Sequence, residues 1–115
     1  MTFEYMDAST LKAALSDGDE IALLDVREAG QFGEGHLFFA TPLPFSRFEL
    51  DLGTLVPNPC VRLVLCDNGD GISERAAQRA IAHGYGHVCV LQGGVAAWKA
   101  AGHTLYKGVN LPSKA

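Results

Sequence analysis

Cys66 is the side chain in this sequence best placed for chemistry. It ends the apolar run Val61-Arg62-Leu63-Val64-Leu65 and is followed at once by Asp67-Asn68-Gly69-Asp70-Gly71, a run of turn formers, then Ile72 and a strongly helical stretch from Ser73. A thiol at the carboxyl end of a strand, ahead of a glycine-containing loop and a helix amino terminus, sits where backbone N–H groups converge, and that arrangement favours an anion. Such donors would stabilise a thiolate, a persulfide anion or an incoming oxyanion, as a cysteine nucleophile requires. The competing reading makes Cys66 a small hydrophobe that closes a strand. Asp67 and Asp70 work against the anion, because carboxylates near a thiol raise its pKa and repel dianions, and no cation precedes Arg75 in the loop. Which effect prevails depends on whether those two side chains point outward, as a solvated rim, or inward.

The other candidate residues have plainer readings. Cys89 lies between Val88 and Val90-Leu91 inside a strand-like run and reads as an inert core thiol. Cys60 lies in a proline-rich loop, as filler or, less simply, as a resolving thiol. Asp25 and Arg27, at the end of another strand, read as an ion pair or hydrogen-bond clamp near the active face, with a pocket-lining role as the alternative. His36 reads as a turn histidine, and His83, His87 and His103 are dispersed without ligand spacing, so no metal or cofactor is expected. Trp98 is expected to seal the core, while Gly69, Gly71, Gly93 and Gly94 answer backbone needs, the first two turning N–H groups toward the sulfur.

The elements that must position Cys66 follow from periodicity and punctuation. Phe3 to Met6 reads as a short edge strand; Asp7 can cap a helix that carries Leu11, Ala14 and Leu15 on one face and closes at Gly18. Ile21-Ala22-Leu23-Leu24-Asp25-Val26 has the near-continuous apolar character of a strand buried on both faces. A short helix is expected within 29–36, a strand from Phe38 to Leu43, and mostly loop over 42–60, with one short helix around Ser46 to Leu52. From Ser73, as cap, a helix should run to Gly84 with Ala77, Ala80 and Ile81 on one face, then a buried strand Val88-Cys89-Val90-Leu91 and a helix over 96–101 ended by Gly102. Alternating strands and helices predict an α/β fold, a mostly parallel sheet covered on both faces, with ligands gathering at the carboxyl ends of its strands.

The chain has 115 residues and is 48% hydrophobic, which suits one domain, expected over residues 3–105 with a tail or linker at 106–115. Its formal charge of -4 gives no basis for binding nucleic acid. No apolar stretch approaches the roughly 20 residues of a membrane span, and the start Met1-Thr2-Phe3-Glu4 lacks a secretion signal, so a cytoplasmic protein is expected. Three cysteines without a Cys-x-x-Cys pair argue against zinc and disulfide scaffolds.

Several ordered motifs together resemble the rhodanese family of sulfurtransferases: Asp25-Val26-Arg27-Glu28 at a strand end, Gly35-His36-Leu37 before Ala40-Thr41-Pro42-Leu43-Pro44, the strand ending at Cys66, and Gly93-Gly94 with Trp98 and Gly102. The resemblance covers nearly the whole chain. It implies the rhodanese three-layer fold with a five-stranded sheet, and a Cys66 that takes a sulfane sulfur from a donor such as thiosulfate or mercaptopyruvate, holds it as a persulfide within the loop Asp67 to Ser73, and passes it to a thiol or cyanide-like acceptor. It also implies that tandem rhodanese domains could accompany this one in a longer protein. With Ser73 opening the helix, the loop would be about one residue longer than the six that family loops usually carry, and the arginine that related phosphatases need is absent. The alternative function is a catalytically weak or inactive interaction or regulatory module.

Overall fold

The computed structural model describes residues 3–28, 35, 37, 40–103 and 105. Its sheet has five parallel strands in the order β1-β5-β4-β2-β3: β1 Glu4–Met6, β2 Ile21–Asp25, β3 Thr41–Pro42, β4 Arg62–Cys66 and β5 Val88–Leu91. The strand that ends at Cys66 is therefore the innermost of the five. Its register sets Asp25 of β2 beside Cys66 on one flank and Val90 of β5 beside Leu65 on the other. β1 and β3 are the edges, each only two or three residues long.

Four α-helices cover the sheet among the described residues: α1 Ala8–Leu15, α2 Phe48–Leu55, α3 Ile72–Ala82 and α4 Gly94–Ala100. Strand alternation divides the core in two. Leu63 and Leu65 face the side filled by Phe48 and Leu52 of α2 and Ala76, Ala77 and Ala80 of α3. Val64 and Cys66 face the opposite side, with Leu11 of α1 and Val95 and Trp98 of α4. Small alanines on α3 let that helix lie close to the sheet, and burial of a residue such as Leu11 contributes about 1.5–3 kcal/mol.

Most expected elements are present, with instructive differences at their ends. Asp7 caps α1, its Oδ1 accepting from the Thr10 N–H at 2.7 Å. The proline-rich stretch holds more structure than expected: a 3₁₀ turn at Phe45–Arg47 runs into α2, which extends to Leu55 because Phe48 and Leu52 bury a full helical face. The expected strand from Phe38 to Leu43 is seen only as β3, whose Pro42 has no N–H to extend the ladder. Phe38 and Phe39 lie outside the described residues, as do the helix expected within 29–36 apart from Gly35, His36, and the tail 106–115.

The helix after Cys66 begins at Ile72, with Gly71 at its cap position in the left-handed region (φ +92°). Six residues, Cys66 to Gly71, thus precede it, so the longer loop expected from a cap at Ser73 is not what forms. Ser73 lies inside the first turn, fully buried, and does not cap.

Gly93 and Gly94 end β5 and open α4 with φ of +76° and +66°. A Cβ on Gly94 would strike the carbonyl oxygen of Asp67, whereas Gly84, also left-handed at φ +97°, has nothing within 4 Å of such an atom. Gly94→Ala should therefore lower the melting temperature well beyond Gly84→Ala, which carries only the left-handed strain of about 1–2 kcal/mol. Equal shifts in thermal melts of the two variants would show that the contact with the Cys66 loop is not what requires Gly94.

Candidate functional site

Cys66 lies wholly beneath the surface at the end of β4, its backbone C=O accepting from the Val26 N–H at 3.0 Å. Burial pushes its thiol well above the ordinary range; Asp25 and Asp67 push the same way, and only Arg27 opposes them. The structure thus answers the question of direction raised by the loop aspartates, and differently for each. Asp70 is exposed. Asp67 is 2% exposed and points inward: Oδ1 accepts from the Gly69 N–H and Oδ2 from the Ser73 N–H, both at 2.7 Å. The second bond takes up one of the amino-terminal N–H groups of α3, so Asp67, five residues before Ile72, does the work assigned in sequence to Ser73. The Ser73 Oγ is left buried without a partner.

A second support comes from the turn after β5. The Val95 N–H donates to the Asp67 carbonyl at 2.7 Å, and Gly94 lies flush against Asp67 and the Gly69 nitrogen. Gly93 and Gly94 are thus functional as a platform for the loop, a role the sequence signalled only as a double glycine. Asn68 and Gly69 are exposed, Gly71 and Ile72 half-buried. The N–H groups of Asn68, Asp70, Gly71 and Ile72 meet no acceptor among the described residues.

Asp25 and Arg27 form the clamp expected of them, and more. The buried Asp25 carboxylate takes the Arg27 Nε at 2.9 and 3.1 Å and the Nη2 at 2.6 Å, a bidentate pair. Nη2 also donates to the Gly35 carbonyl at 2.6 Å, and Nη1 reaches the Asn68 Oδ1 at 3.4 Å. Burial acts against the guanidinium's charge, but the Asp25 bonds outweigh it, helped by the fields of Cys66 and Asp67. The cation missing from the loop sequence is thus supplied by the segment just after the neighbouring strand β2.

The remaining candidates stand apart. Cys60 is exposed at the amino end of β4, separated from Cys66 by a strand of roughly 13 Å, which removes the resolving-thiol reading. Cys89 is half-buried on β5, and burial raises its thiol. Trp98 seals the α1 and α4 side and packs against the His103 ring, centroids 4.5 Å apart and planes tilted by 46°. No group of three or more His, Cys, Asp or Glu able to hold a metal occurs among the described residues, and none of their helices is long and apolar enough to cross a membrane.

A parallel α/β sheet with a cysteine at its central strand end, opening into a loop that leads to a helix, defines a cysteine-loop α/β domain. The chain belongs to the rhodanese family: residues 7–101 match the rhodanese-like domain. It is 32% identical over 111 residues to Protein HIGH ARSENIC CONTENT 1, mitochondrial, of Arabidopsis thaliana, covering 86% of this chain and 63% of that protein. It is 27% identical over 93 residues to a sulfurtransferase of Allochromatium vinosum, covering 81% and 85%. Among solved structures, a thiosulfate sulfurtransferase from Pseudomonas aeruginosa superposes with a TM-score of 0.88 at 38% identity, over 92% of this chain and 20% of that one. The chain thus spans under two thirds of the Arabidopsis protein and a fifth of the Pseudomonas one.

The clamp offers a direct check. Removing one partner of a buried ion pair strands the other's charge, so Arg27→Ala should destabilise the fold by about 3–5 kcal/mol. Arg27→Met with Asp25→Leu, which leaves no buried charge, should recover most of that in denaturant unfolding. A double variant no more stable than the single one would mean that the pair's bonds to Gly35 and Asn68 carry the stability.

Proposed function

We propose that the protein is a sulfurtransferase that carries a sulfane sulfur on Cys66. The observation that carries this reading is the placement of the Cys66 thiol at the end of the central strand, where the loop and the first turn of α3 follow it. With thiosulfate as donor, the Cys66 thiolate attacks the outer sulfur, the sulfur–sulfur bond of the donor breaks, and sulfite departs with its electron pair. Cys66 is left as a persulfide anion, and a thiol or cyanide-like acceptor then takes the outer sulfur and returns the thiolate.

Each neighbouring group has a part in this scheme. Arg27, held by Asp25, is the cation that favours the thiolate and persulfide anion. The N–H groups of Asn68, Asp70, Gly71 and Ile72, which meet no acceptor among the described residues, are the donors this reading assigns to the terminal sulfur, as in other oxyanion-type sites. The sulfurtransferase names among the relatives support the reaction class.

Intact-mass measurement after incubation with thiosulfate or mercaptopyruvate tests the proposal. One added sulfur is expected in the wild type and none in Cys66→Ser, while Cys60→Ser should behave as wild type. Absence of the adduct with both donors would refute the reaction.

The rate of adduct formation should also depend on pH in a specific direction. A thiol whose pKa lies above the usual range is protonated at neutrality, and its thiolate fraction grows about tenfold per pH unit until that pKa is reached. Persulfide formation should therefore keep climbing through pH 8 without a plateau near neutrality, followed by stopped reactions at fixed ionic strength. A rate flat from pH 6 to 8 would mean that the reacting sulfur is already a thiolate.

A further inference from the structure

We infer that Asp67 is a specificity-determining residue: its buried carboxylate occupies the loop's anion-binding donors, and the site accordingly takes a sulfur donor of low charge, such as a protonated alkyl persulfide, in preference to the thiosulfate dianion. This rests on the proposed sulfurtransferase reaction and narrows its donor class.

The occupancy is concrete. A loop of glycines before an α-helix is an anion cradle by virtue of its N–H groups. Here two of those groups, on Gly69 and Ser73, already hold a carboxylate at 2.7 Å each, and the second lies in the first turn of α3, where the helix dipole is strongest. The residue is anchored at its other end as well, since its carbonyl takes the Val95 N–H and abuts Gly94. Asp67 therefore has little freedom to swing away and yield those donors to a sulfonate group.

Charge near the sulfur leads to the same conclusion. Three ionisable groups act on Cys66: Asp25, Arg27 and Asp67. The Arg27 charge is matched by the bidentate Asp25 pair, so the Asp67 carboxylate, held by two N–H groups and by no cation among the described residues, adds its negative charge to the one the thiolate brings. The exposed rim adds Asp70, and Glu74 follows on α3, bonded to the Tyr5 hydroxyl at 2.9 Å rather than to a cation. A dianion entering this site meets repulsion at the rim and again at the cradle, whereas an uncharged donor meets neither.

The step itself needs no further reagent. The Cys66 thiolate attacks the terminal sulfur of R–S–SH, the donor's sulfur–sulfur bond breaks, the alkyl thiolate R–S⁻ leaves with the electron pair, and the proton stays on the Cys66 hydropersulfide. Atoms and charge balance with no net oxidation.

The test compares persulfide formation on the full chain from thiosulfate, which stays a dianion, and from the persulfide of 2-mercaptoethanol, under mildly acidic conditions that keep this alkyl persulfide protonated and uncharged, in wild type, Asp67→Asn and Asp70→Asn. The wild type should favour the uncharged donor by at least about tenfold in kcat/KM. Asp67→Asn, which keeps an amide oxygen for one N–H group, should raise the thiosulfate rate about tenfold and move the uncharged donor far less, so the preference narrows. Asp70→Asn, exposed and screened at the rim, should raise the thiosulfate rate by clearly less than Asp67→Asn does. Equal acceleration of both donors would mean that Asp67 acts on the thiol alone and would overturn the inference, as would a wild type with no preference. Should Asp67→Asn fail to fold by circular dichroism, the wild-type preference and its decline from 0.05 to 0.5 M salt decide the matter, a salt-independent preference counting against. If neither donor yields an adduct, the underlying sulfurtransferase reading fails; if both do without discrimination, only the present inference fails.

Discussion

The loop after Cys66 is organised by one interaction, the carboxylate of Asp67 held between the N–H groups of Gly69 and Ser73. A chain leaving a central strand must turn within six residues to begin a helix, and the amino-terminal N–H groups of that helix need acceptors. Asp67 satisfies one of them from inside the turn and closes the turn with its other oxygen. Because the side chain is spent on the loop, its backbone carbonyl is free to accept from Val95, which ties the loop to the start of α4. The requirement for glycine at position 94 follows from that closeness.

The same geometry explains why the site is electrostatically restrained. Cys66 faces the α1 and α4 side of the sheet among Leu11, Val95 and Trp98, so its desolvation is the price of lying at the end of a fully packed strand. Among the described residues the cation that acts on it is Arg27, two residues past β2, where the register places Asp25 alongside Cys66, and it reaches the loop through Asn68. The positive charge near this thiol thus comes from the segment after a neighbouring strand, not from a basic loop.

Much of this was legible in the sequence. The runs 21–26, 61–66 and 88–91 are apolar because parallel strands covered on both faces need apolar residues at every position, and they became β2, β4 and β5. Asp7 advertised its helix through ordinary capping, and Cys66 stood out because its strand stops where glycines begin. The parts that were not legible depend on contacts distant in sequence. Nothing local distinguishes Ser73 from a cap, since its displacement arises from a carboxylate six residues earlier folding back. Arg27 reaches Asn68 of the loop from 41 residues earlier in the chain. The extent of α2 is set by Phe48 and Leu52 finding the sheet, against the prolines that flank it.

The edges of the sheet carry a consequence of their own. A strand with open N–H and C=O groups invites another chain to pair with it, and here the two outermost strands are too short to offer much. β3 ends in Pro42, which cannot donate, and β1 carries Glu4 with Tyr5 leaning on Glu74. Lateral growth of the sheet is blunted on both sides. Copies of such a domain can stand side by side at high local density, in one polypeptide or several, without fusing into a shared sheet, each keeping its thiol insulated in its own middle strand.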